Sequence, residues 1–160
     1  MTIPDLYYSD VDTDNMETRK QNRLKEYDYS QNGYYFITIC TVNKQKILCD
    51  IVGDDAHIVP TKYGTVVEKF IKTIPGIDKY VIMPNHIHLI VKNENGTMWA
   101  SSPTISQKIK TLKILVTKAI GKPIFQRSFY DHVIRDEKDY LRIWEYIENN
   151  PGKWAEDKYF

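Results

Sequence analysis

Cysteine is nearly absent from this chain of 160 residues, which has only Cys40 and Cys49. Two thiols exclude a disulfide framework and a cysteine-rich zinc site. Glycine and proline are sparse, at seven each, which excludes a collagen-like repeat. No apolar run approaches the roughly 20 residues that a membrane span needs. The opening residues MTIPDLYYSD lack a basic start and an apolar stretch, so no secretory signal is expected. A strong net charge is missing too: 22 bases against 21 acids leave +1. What is present, 42% hydrophobic and 27% charged residues, excludes a wholly disordered chain and a coiled coil. At this length about two-thirds of the unfolded surface can be buried, so a core needs no covalent staples. The reading is a cytoplasmic protein with reduced thiols and no membrane partner.

The near-zero net charge hides an asymmetry. Residues 1–16 hold Asp5, Asp10, Asp12 and Asp14 and no base, which leaves 22 bases against 17 acids in the rest. Asn95 to Tyr130 contains no acid but has Lys108, Lys110, Lys113, Lys118, Lys122 and Arg127. A one-sign field of this kind attracts phosphate backbones. A solvated helix face accounts for the same run.

Residues 1–20 show no periodicity and read as an acidic flexible arm; residues 21–160 read as one domain. Tyr34–Val42 is a dense aromatic and β-branched run, expected to be a strand buried on both faces. Ile47–Val59 suggests a small hairpin or loop around Gly53-Asp54-Asp55. Pro60 and Thr61 open a helix with an apolar stripe of Tyr63, Val66, Val67, Phe70 and Ile74, which Pro75-Gly76 end. Lys79–Pro84 and His86–Lys92 read as two further strands, paired antiparallel. Ser101–Pro103 start a second helix, which Gly121 and Pro123 end. Phe129–Arg135 reads as a last strand, and Asp136 caps a final helix to about Asn149. The order β-α-β-β-α-β predicts a ferredoxin-like α+β fold, an antiparallel sheet with helices on one face plus a C-terminal helix. The other face is then free to carry a site.

His86 and His88 leave the same face of their strand, because side chains alternate. Two neutral imidazoles side by side are half of a divalent-metal site. A short His-x-His pattern also arises by chance. On the final helix, Tyr140, Ile143, Trp144 and Ile147 mark the core stripe. Tyr146 falls off it, on a face with Asp139, Arg142 and Asn150. Tyr146 and Asn150 are one helical turn apart and therefore neighbours. That tyrosine is either a surface residue or one kept free for chemistry. Tyr130 is a rival, His132 reads as a buried, hydrogen-bonded histidine, His57 as a surface residue and Cys40 as inert. Tyr27, Tyr29, Tyr34, Tyr35 and Trp99 are candidates for stacking on unpaired bases, although a strand tyrosine more often fills a core.

Tyr27–Ser30, Tyr34–Thr41, Val81–Leu89 (VIMPNHIHL), Gln126–Asp136 (QRSFYDHVIRD) and Tyr146–Trp154 (YIENNPGKW) together resemble the single-tyrosine HUH transposases, and specifically the REP-associated tyrosine transposases. The combination of MPNHIH with a downstream YI-x-x-NP carries the resemblance, which spans roughly residues 20–155. It implies that His86 and His88 bind Mg²⁺ or Mn²⁺, that Asn150 completes the metal site and that Tyr146 is the nucleophile. The implied activity is cleavage and rejoining of single-stranded DNA near hairpins formed by palindromic repeats, through a 5′-phosphotyrosine. Backbone contacts are expected from Lys108, Lys110, Lys113, Lys118, Arg127 and Arg142, and the protein is expected at the nucleoid. Relatives include monomers and dimers, so the oligomeric state stays open. Two alternatives stand beside this: a domesticated protein that binds hairpin DNA without cutting, and a metal-dependent phosphodiesterase that uses water.

Overall fold

Local capping sets where the helices begin. The Thr61 hydroxyl accepts from the Gly64 amide at 3.2 Å, and Asp136 accepts from the Asp139 amide at 2.7 Å. Thr104 and Gln107 form a reciprocal capping box, so the second helix starts just after Pro103. The structure, a computed structural model, describes residues 33–93 and 103–159. The acidic arm, Tyr27, Tyr29 and Trp99 lie outside the described residues. The elements are β1 (Gly33–Cys40), β2 (Cys49–Val52), β3 (His57–Pro60), α1 (Lys62–Ile71), β4 (Ile77–Ile82), β5 (His86–Asn93), α2 (Ile105–Ile120), β6 (Tyr130–Ile134) and α3 (Glu137–Asn149). A 3₁₀ segment, Pro151–Glu156, follows α3.

The main sheet has the order β4-β5-β1-β6, with every neighbouring pair antiparallel. The fold is therefore α+β, as expected, and β2–β3 forms the small hairpin suggested around Gly53. Alternation splits the sheet's side chains between two clusters. Tyr35, Ile37, Ile39, Ile87, Leu89 and Val91 pack with Val67 and Ile71 of α1 and Ile109, Leu112 and Val116 of α2. Phe36 and Ile90 pack on the other face with Ile143 and Ile147 of α3 and with the hairpin's Ile51 and Ile58. That second face is thus covered rather than free, because α3 folds back across it. Both clusters are needed to bury β1, whose Phe36 to Cys40 are all at most 2% exposed.

Two sequence-based placements change. Trp144 is 39% exposed rather than core; the α3 core line runs through Ile143 and Ile147, and Trp144 lies beneath the Lys79 ammonium at 3.7 Å. Strand β4 ends at Ile82 instead of Pro84, since the Met83 amide donates to the His86 carbonyl in a tight turn. At Gly76 the backbone has φ +87°, and a Cβ there would meet the Lys92 carbonyl oxygen at 2.3 Å. Only glycine allows that close approach of α1's exit to the end of β5. No helix among the described residues is long and apolar enough to cross a membrane.

Candidate metal centre and active site

Strand register builds the site first. His88 on β5 stands opposite Thr38 on β1, and the Thr38 hydroxyl meets its Nδ1 at 2.8 Å. His86 Nδ1 lies 2.8 Å from the Asn85 side-chain oxygen. That oxygen only accepts, so His86 carries its proton on Nδ1 and offers a lone pair at Nε2. The two Nε2 atoms face one another at 3.1 Å. Adjacent ligands of an octahedral ion with bonds of about 2.1 Å lie about 3.0 Å apart, so the spacing suits one shared cation. Burial pushes the His86 imidazole down to about 3, opposed by the neighbouring Asn150 side chain. Burial lowers His88 well below its ordinary value, and the His86 ring adds to that. Both rings are neutral at pH 7, the state in which imidazole ligates metal.

Helix α3 delivers the next two groups. Tyr146 is half-buried, with its ring edge-on to His88 at 5.3 Å and to Phe36 at 6.0 Å. Asn150, at the C-cap of α3, is 3% exposed. Its Nδ2 donates to Asp157 Oδ2 at 3.0 Å, while its Oδ1 is buried and accepts no hydrogen bond. A buried amide oxygen left without a donor is a ready hard ligand. The structure thus brings together all four residues singled out from sequence: His86, His88, Tyr146 and Asn150.

It also adds a residue that the sequence did not reveal. Asp157 Oδ2 lies 3.8 Å from His86 Nε2. Among the described residues, His86, His88 and Asp157 form the one set whose ligand atoms all fall within 4.8 Å. Burial raises the Asp157 carboxyl, against the opposing Tyr159 amide and Asn150. A buried carboxylate facing two neutral imidazoles suits a cation, whose charge it balances. Only the acidic pair Glu156-Asp157 shortly after the NPGKW turn marks this position in the sequence, and it follows no periodicity. The same C-terminal segment covers the pair. The Tyr159 ring lies 4.5 Å and the Trp154 ring 6.0 Å from that of His86, and both histidines are 0% exposed.

The expected DNA contacts divide. Lys110, Lys118 and Arg127 are exposed. Lys108 is a correction: it is 7% exposed and its ammonium donates to the Lys92 carbonyl at 3.1 Å, pinning α2 to the sheet. Lys113 is another, since its ammonium donates to the carbonyls of Gln126, Arg127 and Ser128 at 2.8–3.2 Å. Burial lowers it to about 8. Tyr35 is fully buried and stacks on no base, while Tyr34 packs edge-on to Tyr140 at 5.2 Å. Burial raises the Tyr130 phenol, so it ionises less readily than an ordinary tyrosine. The buried Cys40 thiol is pushed up to about 11 by burial, in keeping with an inert core cysteine. His57 is exposed on β3.

Arg142 and His132 belong to one cluster. Arg142 Nη2 donates to Asp139 Oδ1 at 3.0 Å, and His132 Nε2 meets Asp139 Oδ2 at 2.9 Å. Burial alone would raise the Asp139 carboxyl, but the His132 and Arg142 bonds outweigh it and lower it. Its stabilisation is therefore present above the unfolded value near 3.9 and is lost as pH falls through the lower folded value. Asp139→Asn is expected to cost about 1–3 kcal/mol at pH 7. The gap to wild type should close below about pH 4, as measured by urea unfolding across pH; a gap independent of pH would mean that charge is not the cause.

No model of a known protein family matches the chain. The chain is 34% identical to an uncharacterized protein of Haemophilus influenzae, over 89% of this chain and 93% of that one. It is 28% identical to a REP-associated tyrosine transposase of Escherichia coli, over 78% of this chain and 70% of that one. Its fold superposes on the structure of a REP-associated tyrosine transposase bound to a REP hairpin, with a TM-score of 0.58 and 26% identity over 84% of this chain and 77% of the other. In sequence and in fold the chain is thus similar to REP-associated tyrosine transposases.

Proposed function

We propose that the protein is a metal-dependent DNA transposase that cleaves and rejoins single-stranded DNA beside a hairpin, with Tyr146 as nucleophile. The observation that carries this is one juxtaposition: the Tyr146 ring lies 5.3 Å from His88, whose Nε2 converges with that of His86. His86, His88 and Asn150, with Asp157, fit a hard divalent cation such as Mg²⁺ or Mn²⁺. When bound, such an ion supplies charge neutralisation at the scissile phosphate.

The chain's own residues do the rest. Asn85 holds His86 in the tautomer that presents Nε2, and Thr38 orients the His88 ring, as outer-shell partners do. Helix α3 carries Tyr146, whose ring lies beside His88. The Tyr146 oxygen attacks the phosphorus as its proton leaves, and the bond from phosphorus to the 3′-oxygen breaks. The products are a 5′-phosphotyrosine and a free 3′-hydroxyl. Attack of a 3′-hydroxyl on that linkage re-forms a phosphodiester and returns the phenol, so no outside energy is needed. The partner proposed is hairpin DNA with an unpaired flank, since the solved relative is bound to a REP hairpin.

A second reading, hairpin binding without cutting, has one observation in its favour: both histidines are completely buried beneath Tyr159 and Trp154. A denaturing gel of end-labelled hairpin DNA incubated with the protein and Mn²⁺ separates the two. A labelled band at the mass of protein plus DNA, mapped by peptide sequencing to Tyr146, is the expected result. Retained hairpin with no such band would favour the binding protein. A released 5′-phosphate with no trapped DNA would mean that water is the nucleophile.

A further inference from the structure

The turn that follows β1 has a backbone that its own residues do not favour. Asn43 and Lys44 have φ of +55° and +52°, and the Gln45 amide donates to the Val42 carbonyl across them at 3.3 Å. A two-residue turn with positive φ at both central positions is the one that Asn-Gly fills best, since glycine has no Cβ to clash. A lysine in its second position is strained. Strain of this kind persists where the surroundings fix the backbone, and it gathers at functional sites.

The surroundings here are those of the histidine centre. The Thr41 amide donates to the Asn85 carbonyl at 2.9 Å, and Asn85 Nδ2 donates to the Lys44 carbonyl at 3.4 Å. The same Asn85 sets the tautomer of His86. The strained turn and the first imidazole therefore share one anchoring residue. The Lys44 side chain is exposed. Its ammonium lies 5.9 Å from the Tyr159 ring, which in turn lies 4.5 Å from that of His86. Burial raises the Cys40 thiol, and of the charges that oppose burial the Lys44 ammonium acts most; Cys40 is the register partner of His86. Among the described residues no carboxylate forms an ion pair with Lys44. Lys46 is the contrast. It is exposed too and lies 5.6 Å from the Trp154 ring, yet its φ is not positive.

We propose that Lys44 is a catalytic residue whose ammonium grips a non-bridging oxygen of the phosphate that Tyr146 attacks. The proposal rests on the reading of the protein as a DNA strand transferase. As the Tyr146 oxygen bonds to phosphorus and the bond to the 3′-oxygen breaks, negative charge gathers on the non-bridging oxygens. A cation placed there favours that state over the bound substrate. Lys44 keeps its protons throughout and forms no covalent bond. Lysine suits the task, because its charge is a compact point on a flexible stem that can turn from the Tyr159 ring to a phosphate. The strained turn supplies what the stem lacks, a fixed origin beside His86.

Lys44→Gly in the full chain tests it, because glycine relieves the turn while it removes the ammonium. The midpoint of thermal unfolding should rise. At saturating hairpin DNA with an unpaired flank and Mn²⁺, the rate of covalent product should nevertheless fall about 100-fold. Calorimetric titration with dTMP in the presence of Mn²⁺ reads the phosphate contact without chemistry, and its affinity should fall about tenfold. Lys44→Arg keeps the charge and should stay within about fivefold of wild type in both readouts. Lys46→Gln should leave both within about twofold, as expected of a screened surface charge. Unchanged rate and dTMP affinity in Lys44→Gly would overturn the proposal. Equal losses in Lys46→Gln would overturn it too, in favour of a diffuse positive field. A lower unfolding midpoint in Lys44→Gly would remove the strain that singles Lys44 out. Absence of covalent product from the wild-type protein, with the dTMP loss intact, would sink the transposase reading and leave Lys44 as a phosphate contact.

Discussion

Tyr146→Phe should reduce covalent DNA–protein product by more than about 1000-fold, because it removes the oxygen proposed to attack the phosphorus. The substitution removes one hydroxyl and keeps the ring. The edge-on contacts with His88 at 5.3 Å and Phe36 at 6.0 Å therefore persist, and hairpin affinity should stay within about twofold of wild type. That split between chemistry and binding separates a nucleophile from a packing residue. The control is Tyr130, which stands opposite Thr38 on β6. Its phenol is raised by burial, so Tyr130→Phe should leave the adduct in place. An adduct retained by Tyr146→Phe and lost in Tyr130→Phe would reverse the assignment. Denaturing electrophoresis of end-labelled hairpin with Mn²⁺ reads both variants on one gel.

The second large effect is metal-linked stability. An ion that binds only the folded state at a hundred times its Kd adds about 2.7 kcal/mol. For a chain of this size that raises the midpoint of thermal unfolding by roughly 5–10 °C. His86→Ala combined with His88→Ala should remove the whole of that shift with Mn²⁺, and calorimetry should detect no binding. Both rings are 0% exposed, so their loss also leaves a cavity and lowers the stability of the metal-free protein. The shift is therefore compared with and without Mn²⁺ within each variant, which cancels the cavity cost. Asp157→Asn should fall between wild type and the double variant. It keeps an oxygen near His86 but removes the carboxylate charge from the His86–His88–Asp157 set. A full shift in the double variant would place the metal elsewhere.

Much of this molecule was legible along the chain. Strands, caps and the His86–His88 face follow from side-chain alternation and from hydrogen bonds within four residues, as at Thr61, Thr104 and Asp136. Tyr146 and Asn150 are neighbours by helical geometry alone. The same local rules misplace what depends on distant contacts. Lys108 and Lys113 sit in a run that reads as one basic face, yet each finds backbone carbonyls to bind on other elements, which no charge pattern records. The Trp144 side chain fits the helical core stripe, yet the path of α3 over β4 sets it under Lys79.

The sequence by itself determined an antiparallel α+β fold, a strand that turns two imidazoles to one face and a helix that carries a tyrosine and an amide one turn apart. Only the tertiary structure decided that these two elements meet, that Asp157 joins them and that Tyr159 closes the site from above. The physical reason is range. Asn85 and Tyr159 are 74 residues apart and hydrogen-bonded. Periodicity, which reports the direction of a side chain from its own element, carries no term for what a remote segment lays against it.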